Sequence, residues 1–357
     1  MRSNTLRNDG VQRWTRPLAA VAWGMLMVGL SSIPAAVAQE VELRFTVTEV
    51  TGVGQEAGVN RRDPSDLLRI GPRYYLFYTR LTQGAPVYPQ GYAGTIYYAT
   101  SEDEGHTWTE RGEVLGRGAE GAFDTFGVFT PNVVRGFDGR TYLYYTGVGD
   151  GFDNQDQTDK NRTTLGVAEL RFEEDGRIVG ARRLNGGKPI LEPSASTSGR
   201  FDAFRVDDAA LVLRDGAYWL YYKGRGWTGG PAGTKMGVAV AEEPAGPFVK
   251  QNEGRAVQPE GHEVLVWKQG SGVCSLVTSA GRGLYCASDG IHFTKVADDF
   301  AGALNAPGAY RSDLADPGVS GAPRWGIAMV HAKDPYLVRW EGTLPGLNTA
   351  TIPGRKR

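Results

Sequence analysis

Acidic residues hold matching places along this chain, each just before a strand rich in aromatic residues. The acids are Asp63 in Asn-Arg-Arg-Asp-Pro-Ser (60–65), Asp207 and Asp208 in Arg-Val-Asp-Asp-Ala (205–209), and Glu263, beside His262, in Gly-His-Glu-Val (261–264). Taken singly, each acid is typical of a turn or a strand end, since Asp before Pro is a common turn signal. Acids at three equivalent places, beside one histidine, indicate a shared site.

Hydrolysis of a glycosidic bond requires such a group of residues. One carboxylate activates water or attacks the sugar, while an acid protonates the departing oxygen. Further carboxylates adjust pKa values and hold the sugar ring. A histidine can serve as the acid, because neighbouring carboxylates raise its pKa and keep it charged near neutral pH.

A repeated unit must bring these residues together. An aromatic strand followed by a strand of small residues recurs along the chain at intervals of roughly 40 to 70 residues, which suits antiparallel blades of four strands. The aromatic strands begin at Arg73, Arg140, Ala217 and Gly272, with a degenerate fifth copy at Arg324. Alternation of aromatic and polar residues predicts half-buried strands. We predict an all-β, five-bladed β-propeller whose last blade is completed by the strand near 41–47. A β-sandwich fits the repeat less well.

The chain resembles the five-bladed propeller glycoside hydrolases, and within them family 117, the exo-acting α-1,3-(3,6-anhydro-L-galactosidases). The resemblance rests on 60–65, Phe-Thr-Pro (129–131), Val-Asp-Asp-Ala (206–209), Tyr-Trp-Leu-Tyr-Tyr-Lys-Gly-Arg (218–225) and 261–264. It implies an inverting hydrolase that releases a terminal sugar resembling 3,6-anhydro-L-galactose from oligosaccharides.

By this resemblance Asp63 is the general base and His262 the general acid. Asp208 orients the site, and Glu263 completes the acidic trio. Asp208 is preferred to Asp207 because Asp208-Ala209 aligns with Asp63-Pro64. The implied substrate-binding residues are Arg62, Thr130, Asp207, Lys223 and Arg225.

Two alternatives stay open at the level of the sequence. A family 43-type arabinofuranosidase or xylosidase would use Glu263 as the acid, with His262 incidental. A carbohydrate-binding propeller without catalysis would keep the aromatic residues and tolerate loss of the acids.

The segment 101–108 matches the Asp-box turn of sialidases, to which we assign a structural role only. No cofactor is expected to be required, although a divalent cation could sit in the central channel, held in part by His331.

The N-terminus has the pattern of an export signal. Arginines precede the short apolar run 18–30, and Ala36-Val37-Ala38 provides small residues for cleavage. We therefore expect a signal peptide over 1–38, a single catalytic propeller over 39–357, and a periplasmic or secreted protein. No membrane attachment is expected after cleavage.

Composition limits the partners. The net charge is −1 and no basic cluster is interleaved with aromatics, so nucleic acid is not an expected partner.

Cys274 and Cys286, the only cysteines, flank a hairpin symmetrically. They could form a disulfide bond or remain two small buried thiols. The acidic loop 149–159 is interpreted as solvated. The sequence leaves the oligomeric state open.

Overall fold

The computed structural model describes residues 43–81, 93–151, 158, 162–259, 261, 264–279, 281–298, 300–301, 304–314 and 321–343. The predicted signal peptide, His262 and Glu263 lie outside these residues. No helix within the described ranges is long and apolar enough to cross a membrane.

The described residues form strands and short 3-10 helices, and the strands are arranged as five sheets. The strands are β1 (Leu43–Glu49), β2 (Asn60–Arg62), β3 (Leu68–Ile70), β4 (Arg73–Leu81), β5 (Thr95–Ser101), β6 (Thr109–Leu115), β7 (Gly127–Arg135), β8 (Thr141–Val148), β9 (Thr164–Phe172), β10 (Ile178–Arg183), β11 (Arg205–Arg214), β12 (Ala217–Arg225), β13 (Lys235–Ala241), β14 (Val249–Lys250), β15 (Val264–Gln269), β16 (Gly272–Val277), β17 (Gly283–Ala287), β18 (Thr294–Ala297), β19 (Phe300–Ala301), β20 (Gly308–Ala309), β21 (Trp325–Val330) and β22 (Tyr336–Thr343). The 3-10 helices are Asn185–Gly187, Ser196–Ser198, Pro231–Gly233, Asn252–Gly254 and Ser312–Leu314.

Each sheet is one blade of a propeller, and the blades follow one another in chain order. Blade 1 contains β2 to β6, blade 2 β7 to β10, blade 3 β11 to β14 and blade 4 β15 to β18. Blade 5 has the order β20-β21-β22-β1-β19. Its strand β1 comes from the N-terminal side of the chain and pairs antiparallel with β22, from Arg44 opposite Thr343 to Glu49 opposite Val338. The predicted five-bladed fold and the predicted closure of the last blade are confirmed.

The second strands of the blades are more deeply buried than the alternation predicted. Every residue of β8 is buried, as are most residues of β4. Because a blade packs against a neighbouring blade on each of its two faces, its second strand carries a nearly continuous apolar run. Alternation survives in the outer strand β6, where Thr109, Arg111 and Glu113 are exposed.

Two local features that the sequence suggested are present. In the Asp-box turn, Thr107 N–H donates to Asp103 Oδ1 at 2.9 Å. Trp108 packs in an apolar cluster with Trp325 of blade 5, so this turn joins two blades. The two cysteines face each other across β16 and β17 and form a disulfide bond.

Candidate active site

We call the first strand of each blade (β2, β7, β11, β15 and β20) its inner strand. In four blades an unusual backbone conformation occurs within the inner strand or within two residues of its end. Positive φ angles occur there at Asp63 (48°), Thr130 (47°), Asp208 (49°) and Ala306 (43°). In each case the next residue is Pro or Ala. The left-handed region is uncommon for residues other than glycine, and it is least favourable for a β-branched residue such as Thr130. Four repeats of one disfavoured conformation point to a functional constraint.

A β-bulge produces this conformation in blades 2 and 3. The pairing register shifts between Phe129 and Asn132 in β7, and between Asp207 and Ala210 in β11. A bulge inserts an extra residue into one strand and can re-aim a side chain, often beside an active site. The sequence pattern predicted acids just before the aromatic strands. The structure places two of them, Asp63 and Asp208, at these bends, and both bends line one cavity, described below.

At two of these bends, the backbone N–H hydrogen-bonds to a threonine hydroxyl of the preceding blade. Thr130 N–H donates to Thr79 Oγ1 of blade 1 at 3.0 Å, and Asp208 N–H donates to Thr146 Oγ1 of blade 2 at 3.2 Å. Thr79 and Thr146 lie at the same place on the second strands β4 and β8, and Lys223 occupies that place on β12. The hydroxyls of Thr130 and Thr146 also hydrogen-bond to each other. The bends of successive blades are therefore linked in series.

A second repeated feature braces the entry to the inner strand of blade 2. Asp124 Oδ2 accepts hydrogen bonds from Tyr145 Oη at 3.0 Å and from Arg183 Nε at 2.7 Å. Phe123 stacks on Tyr145 with ring centroids 6.0 Å apart. Thr130 follows six residues after Asp124, so this fully buried carboxylate anchors the chain just before the bend.

Blade 3 repeats the brace with equivalent residues. Asp202 Oδ2 accepts from Tyr222 Oη at 3.0 Å and from Lys250 Nζ at 2.6 Å, and Phe201 stacks on Tyr222. Asp208 follows six residues after Asp202. The sequence carries a signal for this brace, Gly-x-Phe-Asp at 121–124 and at 199–202. The signal lies outside the aromatic strands that define the repeat, so the sequence prediction did not include it.

Charged partners surround the two acids at the bends. Arg62 Nε lies 3.1 Å from Asp63 Oδ2, and both side chains are largely buried. The Lys223 ammonium contacts Asp208 Oδ2 and lies 3.5 Å from Asp207 Oδ1. Lys223 is thus a cation shared between two neighbouring carboxylates. Its predicted contact with substrate stays a prediction.

Asp207 is the more deeply buried of the adjacent pair. Burial raises the pKa of Asp207 above its ordinary value, and Asp208 adds to the rise, whereas Lys223, Arg225 and Arg205 oppose it. A carboxyl group away from water favours its neutral form unless cations compensate. Lys223 therefore favours the charged form of Asp207 in addition to contacting Asp208.

One cavity brings the bends together, and its volume is about 630 Å³ with the open mouth included. Asp63, Thr130, Asp208, Lys223 and Ala306 line it. Its other lining residues are Pro64, Asp66, Pro131, Asn132, Ala209, Ala210, Val264, Leu265, Val266 and Pro307. The cavity thus draws on the inner strands of all five blades or on segments directly joined to them.

The other predicted site residues do not line this cavity within the described part of the chain. Arg62, Asp207 and Arg225 are buried outside its lining, and Arg62 and Asp207 each precede an acid that does line it. His331 follows β21 and is exposed to solvent.

His262 and Glu263 lie outside the described residues. Their place is bounded on one side by Val264, the next residue, which lines the cavity. The roles of His262 and Glu263 therefore stay predictions.

Among the buried side-chain oxygens of the described residues that line the cavity, one has no hydrogen-bond partner. It is Asp208 Oδ1, which is buried. Leaving a buried polar atom unsatisfied costs about 1–3 kcal/mol.

Comparison with known proteins agrees with this geometry. Residues 64–272 match the sequence model of the glycosyl hydrolases family 43. The chain belongs to this family. No curated protein matches the sequence.

Solved structures share the fold of this family 43 protein. Zg3597, a family 117 glycoside hydrolase of Zobellia galactanivorans, is 24% identical with a TM-score of 0.72, over 85% of this chain and 91% of that one. A family 62 α-L-arabinofuranosidase catalytic domain of Coprinopsis cinerea is 11% identical with a TM-score of 0.55, over 85% and 98%. Fructan 1-exohydrolase IIa of Cichorium intybus is 12% identical with a TM-score of 0.56, over 81% and 56%. The resemblance to the propeller hydrolases is confirmed, and the protein is a glycoside hydrolase.

Proposed function

We propose that this protein is an exo-acting, inverting glycoside hydrolase that removes a terminal sugar resembling 3,6-anhydro-L-galactose from oligosaccharides. The observation that carries the proposal is that Asp63 and Asp208 occupy equivalent bends and line one cavity. In this proposal Asp63 is the general base, His262 the general acid, and Glu263 the third acid of the site.

Asp63 would take a proton from the attacking water. The Arg62 guanidinium, 3.1 Å from Asp63 Oδ2, restricts the orientation of that carboxylate. The left-handed bend at Asp63 fixes the backbone that carries it. A base that is already held in its reactive orientation does not have to reorient during the reaction, and this lowers the activation barrier.

Asp208 would hold the sugar ring. Asp208 lines the cavity and its side chain is 24% exposed, although Lys223 contacts Oδ2 and Oδ1 is buried. A small turn of the carboxylate would present an oxygen to a sugar hydroxyl. A site that supplies a buried hydrogen-bond acceptor rejects sugars lacking that hydroxyl, because the acceptor would stay unpaired. Asp208 then contributes to the choice of sugar as well as to its position.

Exo action suits a cavity that has a floor. Asp66 lies three residues after the bend at Asp63, Asn132 lies two residues after the bend at Thr130, and both line the same cavity as Asp63. They are joined by a hydrogen bond from Asn132 Nδ2 to Asp66 Oδ2 at 3.0 Å. A pocket closed in this way fits the end of a carbohydrate chain better than its middle.

The substrate test compares two sets of oligosaccharides. Purified protein is incubated with neoagaro-oligosaccharides and, separately, with arabinoxylan fragments, and released monosaccharide is identified by chromatography. The proposal expects 3,6-anhydro-L-galactose from the first set and nothing from the second. Proton NMR of the first-formed anomer reports the stereochemistry, and a product of retained configuration would contradict inversion.

The family 43 match favours a second candidate function. An arabinofuranosidase or xylosidase would release arabinose or xylose from the arabinoxylan fragments and would use Glu263 as its acid. His262→Gln would then leave turnover nearly unchanged, whereas Glu263→Gln would abolish it. If His262 is the acid, His262→Gln loses turnover by about 10²- to 10⁴-fold.

We also propose that the protein acts outside the cytoplasm, after removal of residues 1–38. The support is the sequence pattern of that segment, and a disulfide bond between Cys274 and Cys286 is compatible with an oxidising compartment. N-terminal sequencing of protein recovered from the periplasm or medium tests this. A first residue of Gln39 is expected, and an intact start at Met1 would contradict the proposal.

A further inference from the structure

A single buried arginine joins blades beneath the cavity. The Arg311 side chain is fully buried, in the segment between β20 and β21. Its Nη1 donates to Asp66 Oδ2 of blade 1 and to Val266 O of blade 4, both at 2.9 Å. Its Nη2 donates to Leu211 O of blade 3 at 2.9 Å. The guanidinium therefore lies where the inner strands converge.

Asp66 and Asn132 complete the connections. Asp66 Oδ2 also accepts from Asn132 Nδ2 of blade 2 at 3.0 Å, and Asp66 Oδ1 accepts from Ala309 N–H of blade 5 at 3.1 Å. Asn132 Oδ1 accepts from Leu211 N–H at 3.0 Å. Every blade thus contributes at least one atom to a network centred on the Arg311–Asp66 ion pair.

This network lies two or three residues further along the chain than the bends. Asp66 is three residues after Asp63, and Leu211 is three residues after Asp208. Asp66 itself lines the cavity. A shift of the guanidinium would therefore reach each of the two acids through three residues of backbone.

The charge at this level of the channel disfavours a divalent cation. The Arg311 guanidinium occupies the convergence point and pairs with Asp66, while Asp313 Oδ2 pairs with Nη2 at 2.9 Å. A metal ion placed there would meet a fixed positive charge. Within the described ranges, no three His, Cys, Asp or Glu side chains are grouped to hold a metal ion.

We infer that Arg311 is the positioning residue of this active site. Its side chain supplies a permanent positive charge that holds the inner strands together through Asp66 and Asn132. Asp63 and Asp208 are thereby kept facing one cavity. The guanidinium suits this task because its planar fork donates in several fixed directions at once. Lysine carries the same charge without the fork. The inference rests on the roles proposed for Asp63 and Asp208, but not on the identity of the sugar.

The test is Arg311→Lys, assayed on a glycoside that the wild-type protein is first shown to hydrolyse. We expect kcat to fall about 10- to 100-fold, as for a small misplacement of catalytic groups, with KM changed less than about threefold. The matched control is Arg339→Lys, because Arg339 is also buried, pairs with the Glu341 carboxylate and donates to Glu104 O at 2.9 Å. It should lower the thermal midpoint and leave kcat within about twofold of wild type, since these contacts lie away from the cavity lining.

Two results would overturn the inference. One is an Arg311→Lys protein that loses thermal stability as Arg339→Lys does but keeps the wild-type kcat. The other is a wild-type activity that is lost on dialysis against a chelator and restored by Ca²⁺ or Mg²⁺, since the cation would then not be built in.

A second variant serves if Arg311→Lys does not fold. Asp313→Ala frees one side of the guanidinium and keeps the Asp66 pair. A kcat about tenfold lower is expected, because the guanidinium is then held less firmly. An unchanged kcat in this variant refutes the inference.

Discussion

The backbone N–H of Asp208 in blade 3 donates to the hydroxyl of Thr146 in blade 2, at 3.2 Å. The same hydroxyl bonds to Thr130, so one oxygen supports two neighbouring bends that line the cavity. The position of Asp208 is in this way set by a different blade from the one that carries it.

Thr146→Val tests this support. Valine keeps the shape of the side chain but removes the acceptor, so the N–H of Asp208 loses its partner at a cost of about 1–3 kcal/mol. We expect kcat to fall about tenfold or more, with a modest loss of stability in urea unfolding. Thr100→Val is the control, because Thr100 is also buried and hydrogen-bonded, to Arg111. Equal kinetic effects from the two variants would argue against a specific role for Thr146.

Lys223→Met removes the cation shared by Asp207 and Asp208. Burial already raises the pKa of Asp207, and Lys223 opposes this rise, so its loss raises that pKa further. We expect a large fall in kcat/KM and an acidic limb of the pH–rate profile that moves to higher pH. Lys223→Arg keeps the charge and should move the limb little. An acidic limb at the wild-type position in Lys223→Met would contradict the electrostatic role of Lys223.

The fold was largely predictable, because the repeated aromatic strands report the blades directly. The matching of Asp208-Ala209 to Asp63-Pro64 also identified the acid that lines the cavity. The bends themselves were not predictable, since neither Thr130 nor Ala306 favours a positive φ angle, and in blade 2 the conformation accompanies a bulge. Arg311 lies outside the repeated strands, so the repeat does not single it out.

Gly237→Ala should destabilise the brace of blade 3. A Cβ there would lie 2.5 Å from Tyr222 Cζ and 2.6 Å from Phe201 Cζ, where two rings already stack. Overpacking of this kind costs about 1–3 kcal/mol. Urea unfolding gives the free energy of unfolding. Gly321→Ala is the control, because a Cβ at Gly321 meets nothing within 4 Å. If Gly237→Ala is as stable as Gly321→Ala, the close packing of Phe201 is not needed.

The turn of blade 4 makes stability depend on pH through Asp289. Partial burial acts to raise the pKa of Asp289, but hydrogen bonds from the His292 N–H, the His292 ring and the Ile291 N–H outweigh it and lower the pKa to about 2. A carboxyl group with a lower pKa in the folded state stabilises the fold above its unfolded pKa of about 3.9, and loses that contribution as the pH falls through the folded pKa.

Asp289→Ala should therefore lower the free energy of unfolding near pH 7 by about 1 kcal/mol, after allowance for solvent screening of this half-exposed group. The difference from wild type should shrink between about pH 4 and pH 2. Asp298→Ala, which alters a carboxylate that is 96% exposed, should change little at either pH. A difference for Asp289→Ala that is the same at pH 7 and at low pH would contradict the assignment.

In the proposed mechanism Asp63, at its bend, activates the water that cleaves the glycosidic bond. Asp63→Asn keeps the size and the tolerance of positive φ but removes the base. Asp215→Asn is the matched control, since Asp215 also has a positive φ, of 53°, and lies in an exposed turn. The decisive measurement is the rate of sugar release by the two folded variants on a substrate of the wild-type protein. We expect Asp63→Asn to lose about 10²- to 10⁴-fold and Asp215→Asn to keep wild-type turnover. Turnover by Asp63→Asn within about twofold of wild type would show that Asp63 is not the base.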